Sequence, residues 1–128
     1  MIEAYFTDIK GLVEKYAATM LVLETQLQLD SRRGGQGYLT GQILFEDLSE
    51  LHFKEYLNED GETVEKLMYS YHYQTPSHQL IFRYDNARHR PPLSSLEHKH
   101  TELGEVVPSL VPTLEEVLLE VVKRWDHV

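Results

Sequence analysis

The chain has 128 residues, 41% hydrophobic and 26% charged, with no cysteine and a formal net charge of −9. That length suits one domain around one core, and the composition is that of a globular chain rather than a disordered one. The lack of cysteine excludes disulfides, thiol nucleophiles and cysteine–zinc sites, no apolar run approaches the ~20 residues of a membrane helix, and the acidic total argues against nucleic-acid binding driven by overall charge.

The chain opens Met1-Ile2-Glu3-Ala4-Tyr5-Phe6-Thr7-Asp8 without the basic stretch of a secretory signal. Together with the missing cysteines this leads to the expectation of a cytoplasmic protein with no membrane partner. Tyr5, Phe6, Ile9, Leu12, Val13 and Tyr16 recur at helical spacing and predict a helix over 1–18. From 19 to 29 the pattern changes to alternation, with Leu21, Leu23, Thr25, Leu27 and Leu29 on one parity and Glu24, Gln26 and Gln28 on the other. Gly34-Gly35-Gln36-Gly37 could cradle a phosphate, but no lysine or helix follows as in a P-loop, so a hairpin loop is expected.

Further strands are predicted at about 38–46, 51–57, 64–74 and 79–85, with Asp60-Gly61 and Thr75-Pro76-Ser77 as turns. Tyr69, Tyr71 and Tyr73 share one face, which is expected to be core rather than a base-stacking surface. Glu55 falls among apolar residues of its own parity, as an edge residue or as a buried carboxylate that needs a cation. Residues 86–112 hold Pro91, Pro92 and Pro108 without a clear period and read as a long functional loop. Thr113-Leu114-Glu115-Glu116 after Pro112 is a capping-box pattern opening a helix over 113–127. The expected fold is a single α+β domain: a five-stranded antiparallel twisted sheet over 19–85, with N- and C-terminal helices packed on one face. An exposed edge of that sheet could pair two copies as a homodimer.

The chemistry concentrates between Arg83 and His100. This stretch carries four cations against two carboxylates, a local +2 that leaves −11 for the rest of the chain. Arg83 and Asp85 share a parity, opposite to Leu80, Phe82 and Tyr84. They could form a surface ion pair of little worth, or Asp85 could orient a neighbouring group at a strand end. His72 lies opposite the tyrosines in parity and could join them. His98-Lys99-His100 places two imidazoles on one side of an extended segment. These are ordinary as solvated loop residues. They also suit a metal site completed by a carboxylate, or metal-free phosphoryl transfer in which one imidazole takes a proton and another gives one.

Leu80-Ile81-Phe82-Arg83-Tyr84-Asp85-Asn86-Ala87, then His89, His98-Lys99-His100 and the helix opened by Pro112-Thr113-Leu114-Glu115-Glu116-Val117 together resemble the TumE-type toxins of bacterial and archaeal toxin–antitoxin loci. The resemblance runs from about Ala18 to Val122. It implies growth inhibition through cleavage of cellular RNA, and neutralisation by a small cognate antitoxin. Carried onto this chain, it points to His98, His100, His89 and Asp85 for catalysis and to Arg83, Asn86 and Lys99 for substrate binding; Arg88, a cation of the same stretch, joins the substrate-binding set from the sequence itself. No cofactor is expected, and use of a metal is left open. Arg88 and Arg90 stand where relatives often carry a proline and a second histidine. Two further readings keep their place: a non-catalytic growth inhibitor that binds a protein target, and a metal-dependent hydrolase using the same Asp/His cluster.

Overall fold

The computed structural model describes residues 1–87 and 97–125. Helix α1 (Ile2–Ala17) turns Ile2, Phe6, Ile9 and Val13 inward. It stops at Ala18 and Thr19, where the Thr19 hydroxyl donates to the Tyr16 carbonyl at 2.7 Å. The strands follow as β1 (Val22–Arg32), β2 (Gln36–Phe45), β3 (Glu50–Asp60), β4 (Thr63–Gln74), β5 (Leu80–Asp85), β6 (His98–Thr101) and β7 (Val106–Pro108), before helix α2 (Leu114–Trp125). At its start the Thr113 hydroxyl accepts from the Glu116 amide at 3.1 Å, and the Glu116 carboxylate accepts from the Thr113 amide at 3.0 Å. This is the reciprocal cap that the sequence pattern predicted.

The fold is α+β, with the seven strands in one antiparallel sheet whose spatial order is the chain order, β1 to β7. The expectation of five strands is therefore corrected: the stretch read as a long loop contains β6 and β7. Neither short strand carries the alternation that betrays a half-buried one. β6 is His98-Lys99-His100-Thr101, all polar, and β7 is three exposed residues ending in proline. Pro108 is tolerated because, among the described residues, β7 is an edge strand. Gly34 and Gly35 have φ of 78° and 73° and form the tight β1–β2 turn, so the glycine cluster is a hairpin.

Both helices cover the same face of the sheet. Under them lie Leu39, Ile43, Phe45, Leu51, Phe53, Leu57 and Phe82, with Leu114, Val117, Leu118 and Val121 of α2. Each such side chain contributes about 1.5–3 kcal/mol when fully buried. Tyr69, Tyr71 and Tyr73 are core residues, as expected, at 3%, 0% and 1% exposure. A Cβ on Gly41 would lie 2.0 Å from Phe53 Cζ, so the phenyl ring packs directly on the β2 backbone.

Glu55 is wholly buried on this helix-covered face. The Tyr5 and Tyr71 hydroxyls donate to its two oxygens, and Lys66 Nζ lies 3.5 Å from Oε2. Lys66 also donates to the Pro112 carbonyl at 2.7 Å. One carboxylate and one ammonium thus tie α1, β3, β4 and the approach to α2 together. Burial, then the Glu55 charge, pushes both tyrosine hydroxyls upward, so they stay protonated as donors.

Candidate functional site

Among the described residues, no helix covers the opposite face of the sheet. Residues directly opposed in an antiparallel sheet share a face, so the register sorts this open face into transverse rows. One row runs Gln42, His52, His72, Arg83, His100 across β2 to β6. The next runs Thr40, Lys54, Ser70, Asp85, His98. A concavity of about 890 Å³ lies over β1 to β5 and is lined largely by polar side chains, among them Gln28, Gln42, His52, Lys54, His72 and Arg83.

At the β5–β6 side the rows meet in a cluster around Asp85, which is 3% exposed. Arg83 Nε donates to Asp85 Oδ2 at 2.6 Å, and His98 Nε2 lies 2.5 Å from Oδ1. The Ala87 amide donates to Oδ1 at 3.3 Å. His100 Nε2 stands 3.8 Å from Oδ2, and the two imidazole centroids are 5.0 Å apart. His98 is 1% exposed, whereas the His100 side chain keeps 22%. On the other side of Arg83, its Nη1 donates to His72 Nδ1 at 3.3 Å, and His72 Nε2 donates to Gln74 Oε1 at 3.0 Å. These partners make His72 the neutral Nε2–H tautomer. Burial, the Arg83 charge and the His52 charge lower its pKa, against the opposing Gln74 hydrogen bond.

Burial alone would raise the Asp85 pKa. The Arg83 hydrogen bond and charge, the His98 charge and the Ala87 amide outweigh it and hold the carboxyl below its ordinary 3.8. A group whose folded pKa is depressed adds stability above its unfolded pKa, and that stability disappears as the pH falls through the folded value. Asp85→Asn is therefore expected to flatten the acid limb of the stability curve below about pH 4. Denaturant unfolding across that range checks it; an acid limb identical to that of the parent protein would show that Asp85 does not hold this linkage.

The structure brings four of the sequence-predicted site residues together: Arg83, Asp85, His98 and His100. His72 joins them, as its parity suggested. Lys99 does not, because in the extended β6 strand the middle residue of His-Lys-His faces the other way. It pairs with Glu120 of α2 at 2.9 Å, and its Nζ lies 4.9 Å from the centre of the Tyr84 ring. Asn86 spends its side chain on β4: Oδ1 accepts from the Tyr69 amide at 3.1 Å and Nδ2 donates to the Leu67 carbonyl at 3.0 Å. His89 and Arg88 lie outside the described residues. Sequence reasoning left His52 without a role, yet it opposes His72 across β3 and β4 and pairs with Glu50 at 2.7 Å. The signal was available, since His52 has the opposite parity to Leu51, Phe53 and Leu57.

Ligand atoms of Asp85, His98 and His100 lie within 4.8 Å of one another and could together hold a metal ion. However, Asp85 Oδ1 and His98 Nε2 stand at hydrogen-bond distance, and Arg83 already neutralises the other oxygen. The same contacts would also let a proton pass between carboxylate and imidazole. Among the described residues, no helix is long and apolar enough to cross a membrane.

The sheet thus carries two helices on one face and an Asp–His–Arg cluster on the other. The family model described as Toxin TumE matches residues 10–126. The chain belongs to the TumE family: it is a toxin of a toxin–antitoxin system, and membership implies a cognate antitoxin. Neither the curated proteins nor the solved structures contain a match.

Proposed function

We propose that this toxin is an endoribonuclease that cleaves cellular RNA by histidine-based acid–base chemistry, independent of metal. The observation that carries the reading is the row His72, Arg83, His100 on the open face, with buried Asp85 and His98 behind it. A guanidinium held by His72 and Asp85 can bind a phosphodiester while the neighbouring His100 imidazole moves a proton.

In this reading Arg83 binds the scissile phosphate. His100 takes the proton of the ribose 2′-hydroxyl, and the 2′-oxygen attacks phosphorus. The bond from phosphorus to the 5′-oxygen breaks, leaving a 2′,3′-cyclic phosphate. The departing 5′-oxygen takes its proton from water at the open face, and the His100 imidazolium returns its own to solvent; His72, neutral and bonded through both ring nitrogens, orients Arg83. His98 is buried and acts through Asp85, which it holds together with Arg83 beside His100. No side chain in this scheme needs to leave the open face.

The test is cleavage of a labelled RNA by the purified toxin freed of antitoxin, with and without EDTA, beside a DNA of the same sequence. RNA cut to cyclic-phosphate ends in EDTA, with the DNA intact, is the expected result. Cleavage of the DNA would exclude the 2′-hydroxyl mechanism. Activity lost in EDTA and restored by a divalent ion would move the same residues to a metal-dependent hydrolase. An intact RNA throughout would favour a non-catalytic inhibitor that binds a protein target.

A further inference from the structure

The open face carries a second feature, away from the Asp85 cluster. Beyond His52 and Lys54 on β3 the same parity reaches Tyr56, which opposes Tyr38 on β2 and Met68 on β4. The Tyr38 and Tyr56 rings lie 6.1 Å apart at 56°. Arg32, at the end of β1, holds its guanidinium 5.5 Å from the Tyr38 centroid and 5.7 Å from that of Tyr56. Neither ring is in the core, and Met68 beside them is 60% exposed. The result is an aromatic and apolar patch, topped by a planar cation, on an otherwise polar surface.

From the RNA-cleaving reading of this face, we infer that Tyr38, Tyr56 and Arg32 form a stacking platform for unpaired bases of the substrate. Tyr56 lies two strands and four residues from Arg83, roughly 16 Å on a flat sheet. A single strand whose phosphate sits on Arg83 would run across the concavity to the two rings. The lining between them suits such a strand: the amides of Gln28 and Gln42 can meet base edges, and Lys54 can meet a phosphate. Every base has a π-face, so rings of this kind bind single strands with little regard to sequence. A duplex hides those faces. Two carboxylates beside the track are already engaged, Asp30 by Arg32 at 3.1 Å and Glu50 by His52 at 2.7 Å. Cross-strand tyrosine pairs also stabilise sheets, so a loss of binding must be separated from a loss of folding.

The experiment uses a short fluorescein-labelled single-stranded RNA and full-length toxin carrying His100→Ala to prevent turnover. Tyr56→Leu and Tyr38→Leu are each expected to weaken binding roughly tenfold. Tyr56→Phe keeps the ring and should bind as the parent does, and the matching duplex should bind poorly to all of them. Unfolding temperatures of the same variants identify any that are misfolded, and Arg32→Met serves as a second variant away from the strand pairing. Leucine variants that fold and bind the single strand unchanged would overturn the inference. So would unchanged RNA binding with loss of antitoxin capture, which would assign the patch to the protein partner. RNA cleavage by the otherwise unmodified toxin, measured in parallel, reports on the catalytic reading separately: it can persist while the platform fails, and RNA can be bound without being cut.

Discussion

His100→Ala is expected to lower RNA cleavage by about 10²- to 10⁴-fold, the usual worth of a positioned acid or base, and to abolish growth arrest. The unfolding temperature should stay close to that of the parent. The reason lies in the different settings of two neighbouring imidazoles. His100 keeps part of its surface open and stands 3.8 Å from Asp85 Oδ2, close enough to be oriented and exposed enough to meet a substrate. His98 is 1% exposed and lies 2.5 Å from the same carboxylate. Removing His98 would leave a buried carboxylate with one partner fewer, and activity would fall together with stability. The informative comparison is therefore His100→Ala against His98→Ala, with cleavage rate and unfolding temperature measured on both. A His100→Ala protein that still arrests growth at full strength would remove His100 from the chemistry.

Lys66→Met is expected to weaken the fold strongly while leaving the open face untouched. Lys66 is 12% exposed and Glu55 not at all, so the substitution strands a buried carboxylate that no other cation meets among the described residues. Breaking one partner of such a pair costs about 3–5 kcal/mol, which corresponds to a fall in unfolding temperature on the order of 10 °C or more. Adding Glu55→Gln should recover much of the loss, because a neutral amide can still pair with the Tyr5 and Tyr71 hydroxyls. At low temperature, cleavage per folded molecule should match the parent, since this network and the Asp85 cluster lie on opposite faces. Thermal unfolding of the single and double variants checks the first part, and cleavage at low temperature the second. A single variant as stable as the parent would mean that Glu55 is satisfied by its tyrosines alone.

Parity carried much of the architecture. It separated Phe82 and Tyr84 from Arg83 and Asp85, put Tyr69, Tyr71 and Tyr73 in the core, and set His72 on the face opposite to them. The capping residues Thr113 and Glu116 marked the start of α2 for a local reason: the pattern and the hydrogen bonds occupy the same four residues. β6 and β7 stayed hidden because their evidence is tertiary. A polar four-residue strand is held by its pairing with β5, and nothing in His98-Lys99-His100-Thr101 records that partner. Lys99 was grouped with its neighbours by proximity in sequence, although alternation along any extended His-Lys-His segment would have turned it to the other face. Tyr38 and Tyr56 were legible by the same rule, as the opposite parity to Leu39 and to Leu57. They went unused because the tyrosine-rich β4 drew attention to a set of rings that the helices cover.

The sheet is laid down in chain order, and this has a consequence for synthesis. Each strand pairs with the one made just before it, so loop closures are short and pairing can follow the chain as it leaves the ribosome. The bare face is then built from the β1 side toward β6, and His98 and His100 arrive after five strands are in place. A nascent or prematurely terminated chain that ends before β6 would carry the groove without its two clustered imidazoles. On the proposed reading, the imidazoles that RNA cleavage would depend on are among the last parts of the surface to be completed.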